Sequence, residues 1–447
     1  MKERKEKKDA TETYTKSLPE TKKLRTIYTG GRNVRNLQIN TGGRFVSYVL
    51  VKEATDARHT IIPNYVTESG FTEDINGRTK VGAPLGASEL FVYDREKDTV
   101  ITVTTEDIPG IRDLPDFVND YPELLKKKKQ ENAVRQVSIT GVTWSPKGNY
   151  AVVDIDALDN KDRWLMKLDA VTGKLSLLNR QRDEAWVGGP GINSGNTGWI
   201  NENLFWFQSE ATGYAHIYTV DITTGKKTAL TSGQYEVQQC LLSGNKKYFY
   251  ITTNEVHAGE QQLYRLPVTG GRAERITTMT GANNVILSPG EKQAAILYSY
   301  SNKPWELFLQ DNKPGAKTEQ LTFKAQSDLF KTYAWRDPEM VSITASDGKQ
   351  VQARLYRPAN PHPSKPAVIF VHGAGYLQNA HKWWSSYFRE YMFHNLLADN
   401  GYYVLDMDYR ASAGYGRDWR TGIYRHMGGK DLTDNIDGAK YLTEKCG

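Results

Sequence analysis

The chain has 447 residues, of which 38% are hydrophobic, and it carries a formal net charge of +6 at pH 7. Single domains usually run to about 100–200 residues, so the length predicts two domains, and the hydrophobic content excludes a largely disordered chain. The positive charge is concentrated in the opening stretch MKERKEKK and in four lysines at 126–129. Neither cluster interleaves aromatic residues with basic ones, so both are interpreted as solvated surface and no nucleic-acid partner is predicted.

The composition also predicts no membrane span, metal site or cofactor. No run of about 18 apolar residues occurs, and the N-terminal lysines are not followed by the apolar stretch of a secretory signal. Cys240 and Cys446 match no metal-ligand spacing and are expected to be unpaired thiols. The expected compartment is the cytoplasm, or the periplasm or exterior if the true N-terminus is missing.

Five similar segments follow one another along most of the chain. Each has an alternating strand, a turn containing Gly, Asp or Asn, and a second strand, which is the pattern of a β-hairpin. These hairpins begin at Leu90, Leu165, Ile217, Leu263 and Leu307. Further strand pairs precede most of them and begin at Gly141, Thr197, Leu241 and Asn284. The repeating unit is therefore about four strands, and its spacing is that of a β-propeller blade.

The first of these units is longer than the others. A segment from Ala54 to Gly82 is inserted between its two strand pairs. Long excursions of this kind are often functional. The repeats end near Phe323, so we predict an all-β propeller of about five blades over residues 1–323.

A different pattern occupies residues 324–447. Two strands surround a turn at Asp347 and Gly348, and a wholly apolar strand follows at 368–371. A helix ending at Asn400 and Gly401 then leads into a second apolar strand. Strand, helix and strand with continuously apolar strands predict a parallel sheet that is covered on both faces.

Two helices in this region are each predicted to bury one apolar stripe. In the first helix the stripe comprises Leu396, Leu397 and either Tyr391 or Phe393. In the second, over residues 431–445, it comprises Leu432, Ile436, Ala439 and Leu442.

Four stretches after the propeller resemble the prolyl oligopeptidase family of serine peptidases, and specifically its dipeptidyl-peptidase IV-like members. They are SDGKQVQARLYRP, VIFVHGAGYLQ, GYYVLDMDYRASAGYGRDW and GGKDLTDNIDGAKYL. The resemblance implies that the propeller caps an α/β-hydrolase domain, of which residues 324–447 are the N-terminal part. Since propellers of the family have about seven or eight blades, it also implies that N-terminal blades are missing. A homodimer of the full-length protein is a further possibility.

The resemblance places the serine nucleophile beyond this chain. In the family, the helix matching residues 431–445 is followed by a strand and the G-x-S-x-G nucleophile elbow, with the triad Asp and His later still. No G-x-S-x-G motif occurs among the 447 residues. The nearest substitute is Ser412 in RASAG, but its position matches the family's RGSAGYG loop, so Ser412 is interpreted as structural. The chain is therefore expected to be a fragment that is inactive alone.

The loop after Val371 is the candidate site. Acyl transfer places negative charge on the carbonyl oxygen, and fixed donors aimed at that oxygen form an oxyanion hole. The resemblance implies that His372 or a nearby backbone N–H contributes such a donor, with Tyr376 as a second candidate. The alternative for His372 is a loop histidine that only shapes the bend. Gly373 and Gly375 are expected to let the backbone approach the substrate.

Dipeptidyl specificity in the family depends on a propeller pair of glutamates in an Asp-Trp-x-x-Glu-Glu context. The corresponding segment has Asp183, Glu184 and Trp186 but no double glutamate, and Glu210 is interpreted as part of a blade hairpin. We therefore expect a serine-type peptidase that acts on short peptides through an acyl-enzyme. Oligopeptidase or acylaminoacyl-type activity is as well supported by the sequence as the release of dipeptides. The alternative is a non-catalytic propeller that binds a peptide or protein.

Overall fold

The protein was analysed as a computed structural model, which describes residues 2–17, 25–55, 57–192 and 196–447. The chain divides into two compact units. The first consists of Met1–Thr105 with Asp169–Lys174, and the second of Glu106–Leu168 with Leu175–Gly447. None of the helices in the described ranges is long and apolar enough to cross a membrane.

The described residues of the first unit form a four-stranded antiparallel sheet and a separate hairpin. Helix α1 covers Lys2–Ser17. The strands are β1 (Asn33–Ile39), β2 (Phe45–Lys52), β3 (His59–Asn64), β4 (Glu73–Thr79), β5 (Ala87–Asp94) and β6 (Thr99–Val103). The sheet has the order β1-β2-β5-β6, while β3 and β4 pair only with each other. The predicted insertion between the strand pairs of the first blade is therefore confirmed.

Four more antiparallel sheets lie in the described part of the second unit. Their strands are β7 (Val137–Trp144), β8 (Ala151–Ala157), β9 (Asp162–Leu168), β10 (Leu175–Arg182), β11 (Gly198–Trp199), β12 (Leu204–Ser209), β13 (His216–Asp221), β14 (Lys227–Ala229), β15 (Val237–Leu242), β16 (Tyr248–Thr253), β17 (Gln262–Pro267), β18 (Glu274–Arg275), β19 (Ala282–Leu287), β20 (Gln293–Tyr300), β21 (Lys303–Asp311) and β22 (Glu319–Gln320). Each sheet joins four consecutive strands as neighbours. All five predicted hairpins form the last two strands of a blade.

Neighbouring blades of the second unit share apolar cores. Trp206 of β12 packs edge-on against Phe249 of β16, with 5.2 Å between the ring centroids. Val152 and Leu165 from the preceding sheet pack in one cluster with Phe207 of β12. Such interdigitation of alternate strand residues is the usual way for stacked sheets to bury their faces.

A 3₁₀ turn (Asp116–Asp120) and helix α2 (Pro122–Glu131) precede β7. The four lysines at 126–129 lie on α2 and are exposed. The interpretation of this basic run as solvated surface is consistent with that exposure.

The remaining sheet is mixed rather than purely parallel. Its strands are β23 (Glu339–Thr344), β24 (Gln350–Tyr356), β25 (Ala367–Phe370) and β26 (Tyr403–Asp408). The order is β23-β24-β26-β25, and only β25 and β26 run parallel. The helices are α3 (Asp328–Thr332), α4 (Phe388–Asp399), α5 (Arg417–Arg420) and α6 (Lys430–Cys446). The domain boundary at 323/324 stays a prediction, within the interval between β22 and β23.

Both faces of this sheet are covered, as predicted. Leu405 and Met407 of β26 pack with Leu442 of α6 on one face. Val404, which points to the other face, packs with Tyr391 of α4. Because side chains alternate along a strand, Asp406 and Asp408 project on the same face as Val404.

The predicted stripe of α4 is wrong in part. Phe393 and Leu396 are exposed, whereas Tyr391 is buried and Leu397 packs against the core. The buried positions that continue the face of Tyr391 include the polar residues His394 and Asn395. The side chain of Asn395 donates to the carbonyl of Tyr391 (2.9 Å) and accepts from the N–H of Arg336 (3.0 Å). A search for the buried face of a helix that counts only apolar residues does not detect buried polar positions.

The predicted stripe of α6 is also wrong except for Leu442. Leu432, Ile436 and Ala439 are exposed, and the buried residues are Asp434, Asp437, Gly438, Leu442 and Cys446. Gly438 is buried because α6 lies directly on β26, where a Cβ at this position would come within 2.3 Å of Met407 Sδ. The helix therefore presents a small and polar face to the sheet.

Candidate functional site

Two loops leave the carboxyl ends of the parallel strands β25 and β26 and pair with each other. The N–H of Gly375 donates to the carbonyl of Ala411 (2.8 Å), and the N–H of Ala413 donates to that of Leu377 (2.9 Å). Backbone bonds of this kind fix the two loops as one surface. Ligands of α/β proteins bind at this end of a parallel sheet.

Asp408, at the end of β26, anchors the loop that follows β25. Its buried carboxylate accepts from the backbone N–H groups of Asn379 (2.6 Å) and Ala380 (3.0 Å). It also accepts from the hydroxyl of Tyr415 (2.6 Å). A carboxylate with charge-assisted bonds to backbone N–H groups holds their geometry more firmly than a neutral acceptor would.

His372 lies inside this anchor, with its ring buried. The Nε2 atom is 3.2 Å from Asp408 Oδ1, and Nδ1 is 2.9 Å from the carbonyl oxygen of Gly373. Both partners are hydrogen-bond acceptors, so each ring nitrogen faces an acceptor. Burial alone lowers the pKa of His372, but the hydrogen bond and charge of Asp408 outweigh it and the net pKa is raised. The ring also stacks on Tyr409.

Ser412 lies next to His372, but the geometry is not that of a catalytic triad. Its Oγ is 3.3 Å from His372 Nε2, which is the nitrogen that also faces Asp408. In a triad the serine and the carboxylate occupy opposite nitrogens of the ring. Ser412 is also fully buried and donates to the carbonyl of Tyr409 (2.7 Å). These contacts support its interpretation as a structural residue.

Of the remaining predicted residues, Gly373 and Tyr376 are exposed and Gly375 is buried. The phenol of Tyr376 is within electrostatic reach of Arg420. Gly375 adopts a φ of 111°, where L side chains are strained. The roles predicted for His372, Tyr376, Gly373 and Gly375 are not tested by this geometry and stay predictions.

Asp406 is a buried carboxylate that sequence reasoning missed. Asn379 Nδ2 donates to it at 3.0 Å, and burial raises the pKa of Asp406 to about 6. The fully buried Arg354 lowers that pKa by its charge, while Asp408 raises it. The signal available in the sequence was LDMD, since two aspartates in an otherwise apolar strand must find partners when the strand is buried.

Glu210, directly after β12, forms a buried ion pair with Arg420 at the end of α5. Its two carboxylate oxygens accept from Arg420 at 2.7 and 2.6 Å. Glu236 is buried near this pair, and burial together with the charge of Glu210 raises the pKa of Glu236 to about 7. Arg417 lies beside them, 3.3 Å from Asp183. Glu210 therefore does more than form part of a blade hairpin, because it also binds an arginine of the hydrolase region.

The segment matched to the family's glutamate motif packs on the same cluster. Glu184 pairs with Arg182 (2.6 Å) rather than with the cluster. Trp186 is partly buried, and Gly189 lies against the carboxylate of Glu210 so closely that a Cβ would meet it at 2.3 Å. Residues 193–195 of this segment lie outside the described residues.

Cys240 and Cys446 are buried and unpaired, as predicted. Within the described ranges, no group of three or more His, Cys, Asp or Glu side chains is placed to hold a metal ion.

Two protein families match the chain. The family described as dipeptidyl peptidase IV (DPP IV) N-terminal region matches residues 80–305, and the prolyl oligopeptidase family matches residues 388–446. Dipeptidyl peptidase 4 of Trichophyton equinum is 24% identical over 312 residues, which are 67% of this chain and 40% of that protein. The uncharacterized peptidase YuxL of Bacillus subtilis is 29% identical over 154 residues, covering 34% of this chain and 22% of that protein.

Solved structures show the same fold. Porphyromonas gingivalis dipeptidyl peptidase 4 superposes with a TM-score of 0.70 at 18% identity, over 92% of this chain and 54% of that one. A putative dipeptidyl aminopeptidase IV from Bacteroides ovatus gives a TM-score of 0.65 at 17% identity, over 92% and 56%. The chain thus spans about 40% of the length of the Trichophyton relative. With a propeller region followed by the first part of a hydrolase domain, the chain belongs to the prolyl oligopeptidase family, in its dipeptidyl peptidase IV-like branch.

Proposed function

We propose that the chain is the propeller and the leading part of the hydrolase domain of a serine peptidase that cleaves short peptides through an acyl-enzyme. The observation that carries the proposal is the loop at residues 372–380, which follows the carboxyl end of β25 and is held by Asp408 of β26. In α/β-hydrolases the loop between such a strand and the next helix supplies an oxyanion donor. The loop of this chain has the same place between β25 and α4.

In this proposal the oxyanion donors are exposed groups of the loop, such as the hydroxyl of Tyr376. His372 is a positioning residue. Both nitrogens of His372 are engaged by Asp408 and Gly373, so its ring has no donor left for a substrate. Tyr376 belongs to the same loop, and its side chain is exposed. The contacts of His372 with Asp408 and Gly373 hold the loop in the position where its outer groups can act.

The proposed preference for the amino-terminal end of the substrate depends on what Glu210 binds. To bind this carboxylate, the ammonium group of a substrate would have to displace Arg420, which binds both oxygens. We therefore propose that acyl-blocked peptides are accepted as well as peptides with a free amino terminus. The relatives named dipeptidyl peptidase 4 support the narrower alternative, in which a free terminus is required.

The test compares the 447-residue chain with the longest product of its gene. Each is incubated with a fluorophosphonate probe and with chromogenic anilides of Gly-Pro and of acetyl-Ala-Ala. The 447-residue chain should show no serine labelling, since it contains no G-x-S-x-G motif. The longer product should be labelled, and Tyr376→Phe should lower its kcat by about 10²–10³-fold.

The exposed Tyr121 on the propeller side provides the control, because Tyr121→Phe should leave kcat unchanged. Labelling of the 447-residue chain would contradict its inactivity. An unlabelled longer product that still binds the peptides would favour a non-catalytic binding module. Hydrolysis of the Gly-Pro substrate alone would establish the narrower specificity.

A further inference from the structure

One turn of the propeller binds the chain at the end of the loop that forms the candidate site. We call residues 254–261, which join β16 to β17 in the fourth blade, the β16–β17 turn. Gln378 Nε2 donates to the carbonyl of Ala258 (3.0 Å), and the N–H of Lys382 donates to the carbonyl of Gly259 (2.8 Å). The turn therefore makes these contacts through its own main-chain carbonyls.

An ion pair and a close approach of two main chains reinforce these bonds. Lys382 Nζ lies 2.9 Å from Glu260 Oε1, and the side chain of Glu260 is buried. Gly259 is buried as well, and a Cβ at this position would come within 2.8 Å of both the carbonyl oxygen of Ala380 and the Cα of His381. Real Cβ atoms do not approach main-chain atoms this closely, so any side chain here would push the turn and the loop apart.

Hydrogen bonds within the turn and to the next blade fix its shape. The N–H of Gly259 donates to His257 Nδ1 (2.9 Å), and the N–H of Glu260 donates to the carbonyl of His257 (2.8 Å). At the end of the turn, the N–H of Gln261 donates to the carbonyl of Gly281 (3.0 Å), directly before β19. A turn bonded in this way can hold another loop in place.

The hydrolase sheet holds the same segment from its other side. Asp408 of β26 accepts from the N–H of Ala380 (3.0 Å). The buried Arg354 of β24 donates to the carbonyls of His381 (2.7 Å) and Trp383 (2.9 Å). The segment therefore lies between the sheet and the turn, and its position depends on both.

We propose that the β16–β17 turn is a positioning element for the reaction, in which Gly259 is the positioning residue that sets the place of the loop at residues 372–380. This role rests on the proposed function, in which exposed groups of the loop are the oxyanion donors. Fixed donors stabilise developing charge only in the correct place, and a misplacement of about 1 Å can cost about 10²-fold in rate. Because the turn acts through the loop and not on the substrate, it should affect kcat and leave KM nearly unchanged.

The first experiment introduces Gly259→Ala into the longest product of the gene. For an anilide that the wild type hydrolyses, kcat is expressed per serine titrated to completion with the fluorophosphonate probe, which leaves misfolded molecules out of the count. We expect this kcat to fall by about 10–100-fold, and KM to stay within about twofold. The matched control is Gly290→Ala, in an exposed turn of the fifth blade where a Cβ meets nothing within 4 Å. It should change neither value.

The second experiment follows the loop itself and does not depend on activity. Hydrogen exchange of the 447-residue chain is measured by mass spectrometry on peptides that cover residues 378–384. Exchange should be faster in Gly259→Ala, because the N–H of Lys382 loses its acceptor, and unchanged in Gly290→Ala. Peptides from β26 should exchange as in the wild type, which excludes global unfolding.

A second variant covers the case in which Gly259→Ala does not fold, which fast exchange throughout the chain would reveal. Lys382→Met removes the ion pair with Glu260 and leaves the main chain of the turn unaltered. It should accelerate exchange over residues 378–384 and lower kcat by about tenfold.

Unchanged exchange over residues 378–384 in these variants would overturn the proposed role of the turn. So would faster exchange with an unchanged kcat, or a loss of activity that lies in KM alone. A longer product that is inactive as the wild type would overturn the proposed function as well. An active wild type with a Gly259→Ala variant that behaves like Gly290→Ala would overturn only the role of the turn.

Discussion

Two aspartates on one face of β26 differ in how their charge is stabilised. Asp408 accepts from two backbone N–H groups and from Tyr415, so its carboxylate is well satisfied. Asp406 has one side-chain donor, Asn379, and burial raises the pKa of Asp406 to about 6. One carboxylate therefore organises the candidate site, and the other is a group that binds a proton near neutral pH.

The raised pKa of Asp406 makes stability depend on pH. The folded protein binds this proton more tightly than the unfolded chain does, so the contribution of Asp406 to stability falls as pH rises from about 4 to about 6. Asp406→Asn removes that contribution. The difference in free energy of unfolding, wild type minus variant, should fall by on the order of 3 kcal/mol between pH 4 and pH 7. Urea unfolding at a series of pH values measures it.

The matched control is Asp418→Asn, whose side chain is exposed on α5. Its difference from wild type should be nearly flat over the same range. An Asp406→Asn difference that is equally flat would show that the carboxyl of Asp406 does not hold a proton in the folded state.

The sequence predicted where the site loop lies but not what its side chains touch. A strand that runs into a glycine-rich bend is a local pattern, so His372 and Gly375 could be recognised as members of a loop. The direction of the His372 ring is set by Asp408, which comes from a different strand. Glu210 meets Arg420 across 210 positions of sequence, and no local pattern reveals such a partner.

Elements were predicted well where the signal was local periodicity. The blade hairpins alternate with a period of two and have turn residues at their bends, so their strands could be placed. The buried faces of α4 and α6 were predicted poorly. Their apolar residues suggested one stripe each, whereas the buried positions include Asn395, Asp434 and Gly438. Asn395 and Asp434 are buried because Arg336 and Arg410, just outside the strands, bind them. Gly438 is buried because Met407 leaves no room for a Cβ.

The corrected face of α6 predicts which of its apolar residues matter. Leu442→Ala should lower the free energy of unfolding by about 2–4 kcal/mol, since Leu442 is buried against β26. Ile436→Ala should change it by less than about 0.5 kcal/mol, because Ile436 is nearly half exposed. Chemical denaturation of both variants makes the comparison. If both variants lost the same free energy of unfolding, the apolar stripe predicted from the sequence would be correct after all.

At the scale of the second unit, the blades and the hydrolase loops are joined by polar contacts. Glu210 binds Arg420, Lys382 Nζ lies 2.9 Å from Glu260, and Asn254 donates to the carbonyl of Gly414 (2.9 Å). Polar contacts that are fully buried are costly when one partner is lost. The sheets of this unit should therefore unfold together with the hydrolase sheet.

The buried pair of Glu210 and Arg420 allows the strength of this connection to be measured. Arg420→Met or Glu210→Leu alone should cost about 3–5 kcal/mol, because each leaves an unpaired buried charge, while the double variant should recover much of that loss. The half-exposed pair of Arg265 and Glu274 is the control, and Arg265→Met should cost at most about 1 kcal/mol. Losses that simply add in the double variant would show that Glu210 and Arg420 are not coupled.

One contact between a blade and a hydrolase loop is made by backbone alone. The N–H of Arg417 donates to the carbonyl of Gly213 at 2.7 Å, and a Cβ on Gly416 would come within 2.6 Å of the same oxygen. Gly416 also has a φ of 86°, which side chains resist. A chimera that joins this propeller to the hydrolase domain of a distant relative must therefore match the path of the main chain here, since no change of side chain can close a gap or relieve a clash at this point.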